Sequence, residues 1–361
     1  MKLLRLATTL NPTSAPYNQF SLGLKKAVDQ TYCSLLKNDI PIEDSIVGFH
    51  GDGSVFKMIK VVRNLIKQHN FDVVHIHSGV TGIILLIAAF PFNISIFKKT
   101  VFTLHNSWNV IKFRNQILNF VVMLVVRKVC TCGQSSRESI PKAINFFIAK
   151  KTIAIVNGFD NERIDKIKNS KGATKHFSDS SSVKILCVGA LNNTKNQILL
   201  LKALKEITVD CELVFLGDGA NKEALIKFSQ QINSNLDIRF KGRVSRNLTV
   251  EHMLEADISI SLSSGEGLPI AVLESMYAGC FLILSTIPPH KEISPPSNRC
   301  IFVDTSSLSE VVNALQISAD NIDSIKSERE TSREYSIKNF GLDNMLGEYM
   351  KVYSLLSNKR G

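Results

Sequence analysis

The stretch SSGEGLPIAVLESMYAGC, residues 263–280, decides how the rest of the chain is read. An apolar run of strand length at 258–262 leads into it, glycines flank Glu266, and Pro269 opens a segment with helical apolar spacing. Strand, glycine-rich turn and helix in that order make the repeating unit of a parallel α/β sheet, whose ligands bind beyond the carboxyl ends of the strands. Proline suits a first helical turn, where its missing N–H is not needed. The free N–H groups of that turn and the helix dipole favour an anion, and the glycines let a phosphate approach the backbone. Glu274 falls inside the helix beside Val272, Leu273 and Met276. A carboxylate on so apolar a face needs a partner, and a ribose diol would supply two donors. A capping Glu266 with a solvated Glu274 accounts for the same residues without a ligand.

Outward from this segment, strand-length apolar runs alternate with helical stretches. In the first half they fall at 3–6, 73–76, 101–104 and 153–156, and in the second at 183–188, 212–216, 238–240, 258–262, 281–284 and 301–303. Two parallel sheets are expected, and 361 residues suit two domains. The polar run NSKGATKHFSDSSS, residues 169–182, reads as the linker between a domain at 1–168 and another at 183–331. Residues 332–361 read as one or two terminal helices, broken near Gly341, that pack back toward the first domain.

The seven cysteines are scattered in apolar runs and read as reduced core residues. Cys130 and Cys132 lack a second ligand pair, so no metal site is expected. Polar residues from Thr8 onward interrupt the N-terminal apolar stretch too early for a signal peptide, so a cytoplasmic protein is expected. The apolar stretch 79–97, interrupted by Pro91 and Asn93, reads as a buried helix rather than a membrane span. The net charge is +11, and residues 1–165 hold 20 basic and 10 acidic residues against 23 and 22 in 166–361. The first half is therefore the place for an anionic partner: a membrane surface, a phosphorylated lipid or a nucleic acid. Within it KFRNQILNFVVMLVVRK, residues 112–128, reads as a core helix with charged ends or as one leaning on a membrane; the core helix is the preferred reading. No zinc-finger spacing or aromatic RNA-binding pattern supports nucleic acid.

Polar and glycine residues gather where the loops after the strands should lie. They include His77, His105, Gly189 to Lys195, Gly217-Asp218-Gly219, Gly242-Arg243, the run around Glu266, and Ser285-Thr286. His75, alternating inward on its strand, reads as a core histidine. So many such placements in both halves suggest a cleft.

Glu266, seven residues and Glu274, within EGLPIAVLESMYAG, resemble the signature of the family 4 retaining glycosyltransferases. VGALNNTKNQILLLKAL (188–204), FLGDGANKEAL (215–225) and IRFKGRVSRN (238–247) resemble that family's successive donor-domain segments. DVVHIH (72–77), FTLHNSW (102–108) and IVNGFD (155–160) are similar to its N-terminal segments. The resemblance implies the GT-B fold, two Rossmann-like parallel-sheet domains facing a central cleft. It also implies that Glu266, Gly267 and Leu268 hold the transferred sugar and Glu274 the nucleotide ribose. Lys195 matches the lysine of a basic pair that neutralises the donor diphosphate; Ala190 stands where the arginine often is, which leaves Arg243 as a candidate replacement. Gly189, Gly217 and Pro269 complete the expected donor site. The family's N-terminal glycine-rich loop is replaced by NPTSAPYNQ (11–19), so no acceptor contacts carry over.

The expected reaction is retaining transfer of a hexose or N-acetylhexosamine from a nucleotide sugar, UDP first, to a glycan or polyprenyl-linked acceptor in bacterial surface polysaccharide or lipopolysaccharide assembly. No cofactor or essential metal is expected. Lys195 and the helix start at 267–269 would stabilise the leaving diphosphate, Glu266 would hold the sugar, and His105 would hydrogen-bond it. Peripheral contact with the cytoplasmic face of an anionic membrane fits the basic half. The rival readings are a nucleotide-sugar epimerase on the same fold, a non-catalytic sugar-nucleotide binder, and a nucleic-acid binder.

Overall fold

The computed structural model describes residues 1–9, 16–36, 46–170, 182–207, 210–232 and 236–357. Most of the expected linker at 169–182 and the first part of the loop 11–19 lie outside the described residues. The chain divides into two compact units, one of Met1–Gly158 with the chain from Leu342 onward, the other of Phe159–Gly341.

Seven parallel strands form the sheet of the first unit: β1 (Lys2–Ala7), β2 (Asp29–Ser34), β3 (Ile46–His50), β4 (Val73–Ile76), β5 (Thr100–Leu104), β6 (Lys128–Thr131) and β7 (Thr152–Ala154). Their order is β3-β2-β1-β4-β5-β6-β7, so the direction of winding reverses between β1 and β4. Both faces are covered, which is why β4 and β5 are buried at every position. Leu4, Leu6, Val74 and Phe102 pack on one side with residues of the helices Val55–Gln68 and Gly79–Ala89. Leu3, Val73 and Val101 pack on the other with Phe20 and with Tyr349 and Tyr353 of the final helix Leu342–Ser357.

The second unit holds β8 (Val183–Val188), β9 (Cys211–Leu216), β10 (Asp237–Gly242), β11 (Ile258–Ser261), β12 (Phe281–Ser285) and β13 (Cys300–Val303). These are parallel in the order β10-β9-β8-β11-β12-β13, with the winding reversed between β8 and β11. Phe159 and Gly341 lie side by side in a parallel bridge where the chain enters and leaves this unit.

The division at Gly158 falls earlier than residue 168, because the helix Asn161–Ser170 packs with the second unit. Its Asp165 accepts a hydrogen bond from Tyr277 Oη at 2.8 Å and pairs with Arg333. Three strands were missing from the sequence reading. β2 carries Asp29, Gln30, Thr31 and Ser34, a polar composition that hides a buried strand; Gln30 Oε1 accepts from Arg5 Nε at 2.8 Å. β3 contains Gly48, and β6 is a four-residue strand close behind a helix. The terminal segment is two helices, Thr331–Phe340 and Leu342–Ser357, broken at Gly341. The stretch 112–128 is not a core helix: Phe113–Val125 buries Asn119, Val122 and Met123 and exposes its opposite side. All seven cysteines are buried, and none is joined in a disulfide.

Candidate functional site

In the second unit the loops beyond β8, β9, β10 and β11 are joined through their backbones. Gly189 N–H donates to Leu216 O at 2.9 Å, Gly217 N–H to Gly242 O at 2.8 Å, Leu191 N–H to Asp218 O at 3.1 Å and Ser264 N–H to Thr194 O at 2.8 Å. Two glycines are required for this closeness. Gly217 has φ +144°, and a Cβ there would stand 1.9 Å from Gly189 O; Gly189 has φ +149°, with Lys195 Cε 3.3 Å from where its Cβ would be.

Lys195 is placed by the turn Asn193–Lys195, whose preceding residue Asn192 accepts from the Lys195 N–H at 3.1 Å. Its Nζ donates to Glu266 Oε1 at 2.5 Å, and Ser263 Oγ donates to the same oxygen at 2.6 Å. The lysine and the glutamate on loops beyond β8 and β11 are thus brought into direct contact. His290 lies behind them: its Nδ1 is 2.9 Å from Ser285 Oγ, which donates to Ser263 O at 2.6 Å, and its Nε2 is 3.4 Å from Ser261 Oγ. Burial lowers the imidazole to a pKa of about 4, against the opposing pull of the Glu266 carboxylate, so it is neutral at pH 7.

Pro269 sits at the N-cap, just ahead of the helix Ile270–Ala278, and its side chain supplies no cap. Gly267 and Leu268 precede it and are buried. Glu274, on the same helix, is buried and paired with Arg246, which follows the β10 loop. Burial pushes the Glu274 carboxyl pKa up, while Arg246 and then Arg163 pull it down. Arg163 is held 3.5 Å from Asp160, and the buried Arg246 Nε has no hydrogen-bond partner among the described residues. Glu274 thus has a protein partner that the sequence reading did not name. Arg163, Arg246 and His290 all went unnamed, since each lies on a different strand connection and no local spacing joins them. Arg243 is exposed beyond β10, and Ala190 is exposed beyond β8.

His105 belongs to the first unit, beyond β5. Its Nε2 is 3.0 Å from His77 Nδ1 and the two rings stack at 5.2 Å. His75 sits deeper, with Nδ1 2.7 Å from Tyr353 Oη and Nε2 2.8 Å from Thr103 Oγ1. Burial lowers all three histidines, His105 to about 4. Among the described residues no three His, Cys, Asp or Glu side chains gather as a metal site, and no helix is long and apolar enough to cross a membrane.

The chain matches two family descriptions, Glycosyl transferases group 1 over residues 170–336 and Glycosyltransferase Family 4 over residues 35–163. It is 27% identical over 251 residues to the capsular polysaccharide biosynthesis glycosyltransferase CapH of Staphylococcus aureus, a match covering 66% of this chain and 65% of that protein. It is 26% identical over 264 residues to the UDP-Gal:alpha-D-GlcNAc-diphosphoundecaprenol alpha-1,3-galactosyltransferase of Escherichia coli, covering 70% of this chain and 67% of that protein. A sucrose-phosphate synthase from Thermosynechococcus elongatus shares the GT-B fold, with a TM-score of 0.80 over 99% of each chain at 13% identity.

Proposed function

Because the chain belongs to the family 4 glycosyltransferases of the GT-B fold, we propose that it moves a hexose or N-acetylhexosamine from a nucleotide diphosphate sugar to a glycan or lipid-linked acceptor. The observation that carries this reading is the contact of Lys195 Nζ with Glu266 Oε1 at 2.5 Å, where the glycine loops beyond β8 and β9 meet the helix start at Ile270. A cation, a sugar-binding carboxylate and the positive end of a helix dipole in one place suit a diphosphate with a sugar attached. UDP is the proposed nucleotide, and the donor and lipid diphosphate in the name of the E. coli relative favour it. The setting is surface polysaccharide or lipopolysaccharide assembly at the cytoplasmic face of the membrane, in keeping with the name of the S. aureus relative.

Breaking the bond from the anomeric carbon to the phosphate oxygen leaves negative charge on the nucleotide diphosphate and a cation-like sugar. The Lys195 ammonium and the helix start beyond Pro269 stabilise that charge; Glu266 turns from Lys195 to the sugar hydroxyls, with Gly267 and Leu268 beside it. Glu274 accepts from a ribose hydroxyl while staying paired with Arg246, whose Nε–H, without a partner among the described residues, is a further donor for the nucleotide. Arg243 and the glycines 189 and 217 border the diphosphate. The acceptor oxygen bonds the anomeric carbon on the face the phosphate leaves, and its proton passes to a phosphate oxygen, so configuration is retained without a metal or cofactor. His105, neutral at pH 7, serves as a hydrogen-bond partner to the sugar rather than as an acid.

Calorimetric titration of UDP, GDP and ADP without metal tests the donor site. One nucleotide binds, and Glu274→Ala weakens it at least about tenfold, ~1.4 kcal/mol. Absence of binding by all three to folded protein would overturn the reading.

A further inference from the structure

Between residues 73 and 159 the sequence holds one acidic residue, Glu138, against ten lysines and arginines. That excess surrounds an exposed apolar face of the first unit. On the helix Phe113–Val125 the side chains of Phe113, Ile117, Val121 and Leu124 recur at helical spacing opposite the buried Val122 and Met123, and Phe113 is 76% exposed. The neighbouring helix Lys142–Ile148 presents Phe146, 83% exposed, and Phe147, 62% exposed. Phe147 meets Phe120 at 6.3 Å between ring centroids, so the two helices share one continuous apolar surface.

At the end of this stripe lies a groove of about 690 Å³ at the amino ends of β5, β6 and β7. Phe97, Leu124 and Phe147 form its walls, Lys98, Arg127 and Lys150 stand at its rim, and among the described residues no acidic one lines it. Exposed aromatic surface of this extent marks an interaction face. Its cationic rim selects an anionic partner, and apolar side chains laid along one helix side, with basic residues at its edges, suit the boundary between headgroups and acyl chains. The helix is 13 residues long, too short to span a bilayer.

We propose that this face docks the first unit on an anionic lipid bilayer, with Phe113, Phe146 and Phe147 among the acyl chains and Lys98, Arg127 and Lys150 on the headgroups. The groove takes an acyl chain of a lipid whose headgroup the rim holds. This deepens the reading of a lipid-linked acceptor and rests on it for its purpose, but the two fail separately, since nucleotide binding needs no membrane.

The test is co-sedimentation of the full chain with vesicles of phosphatidylcholine alone or containing phosphatidylglycerol, beside a UDP titration of every variant. Wild-type protein binds the anionic vesicles and not the neutral ones. K98S/R127S/K150S binds them about a hundredfold more weakly, and F146S/F147S at least about tenfold more weakly, with UDP affinity and thermal midpoint kept by both. Equal binding to the two vesicle types, or wild-type vesicle affinity in either variant, would overturn the proposal. Self-association without vesicle binding, abolished by F146S/F147S, would assign the face to a second copy of the chain instead. Loss of UDP binding by the wild-type protein with vesicle binding intact would sink the donor reading and leave this one standing.

Discussion

The Glu274 carboxylate, with 5% of its side chain exposed, is paired with the Arg246 guanidinium, with 18% exposed. Removing one partner leaves the other charge buried and unpaired, a much larger penalty than the pair's net contribution. Arg246→Ala is expected to destabilise the protein by about 3 kcal/mol or more, read from urea midpoints. The double variant Arg246→Met/Glu274→Leu recovers most of that loss but not nucleotide binding, which separates the pair's structural and ligand-facing roles.

Lys195 stands opposite Glu266 at 2.5 Å, and in the proposed reaction its ammonium meets the charge that develops on the leaving diphosphate. Lys195→Ala is expected to lower kcat by about a hundredfold or more while UDP affinity falls far less. Steady-state release of UDP measures the first and calorimetry the second. Equal losses in both would reduce Lys195 to a binding residue.

His105 and His290 both have pKa values lowered by burial to about 4, below the ordinary 6.5. The unfolded chain therefore binds more protons than the folded one between these values. The stability that neutral burial contributes is complete above pH 6.5 and lost as the pH falls toward 4. Urea midpoints taken from pH 7.5 down to 4.5 should fall below 6.5, each such histidine adding roughly 1.4 kcal/mol per pH unit at most. His290→Gln should flatten the slope by about one proton.

Two glycines with opposite surroundings give opposite outcomes. A Cβ at Gly217 would meet Gly189 O at 1.9 Å, so Gly217→Ala forces apart the loops beyond β8 and β9 and weakens nucleotide binding. Gly347 lies exposed in the helix Leu342–Ser357, with no other part of the described chain within 4 Å of a new Cβ. Gly347→Ala should stabilise the protein by about 0.5–1 kcal/mol and leave nucleotide binding unchanged.

The parallel strands and the segment around Glu266 were legible because buried apolar runs, glycines and a helix-starting proline are local signals. β2 was not, because its polar composition reads as surface, and the Arg5 guanidinium that lets Gln30 be buried lies 25 residues away in sequence. The same limit hid Arg246: a ribose was the natural partner for an isolated Glu274, and no spacing rule could bring in a guanidinium 28 residues away. Residues 112–128 misled in another way, since hydropathy alone does not say which side of a helix lacks a covering element.

The measurement closest to the central claim is release of nucleotide diphosphate from a radiolabelled UDP-sugar, with and without a polyprenyl diphosphate glycan, followed by extraction of the lipid. Nucleotide release is expected to depend on acceptor and to match the label entering the lipid, with the anomeric configuration of the donor retained. Release at the same rate without acceptor, with the sugar recovered free or epimerised, would contradict it.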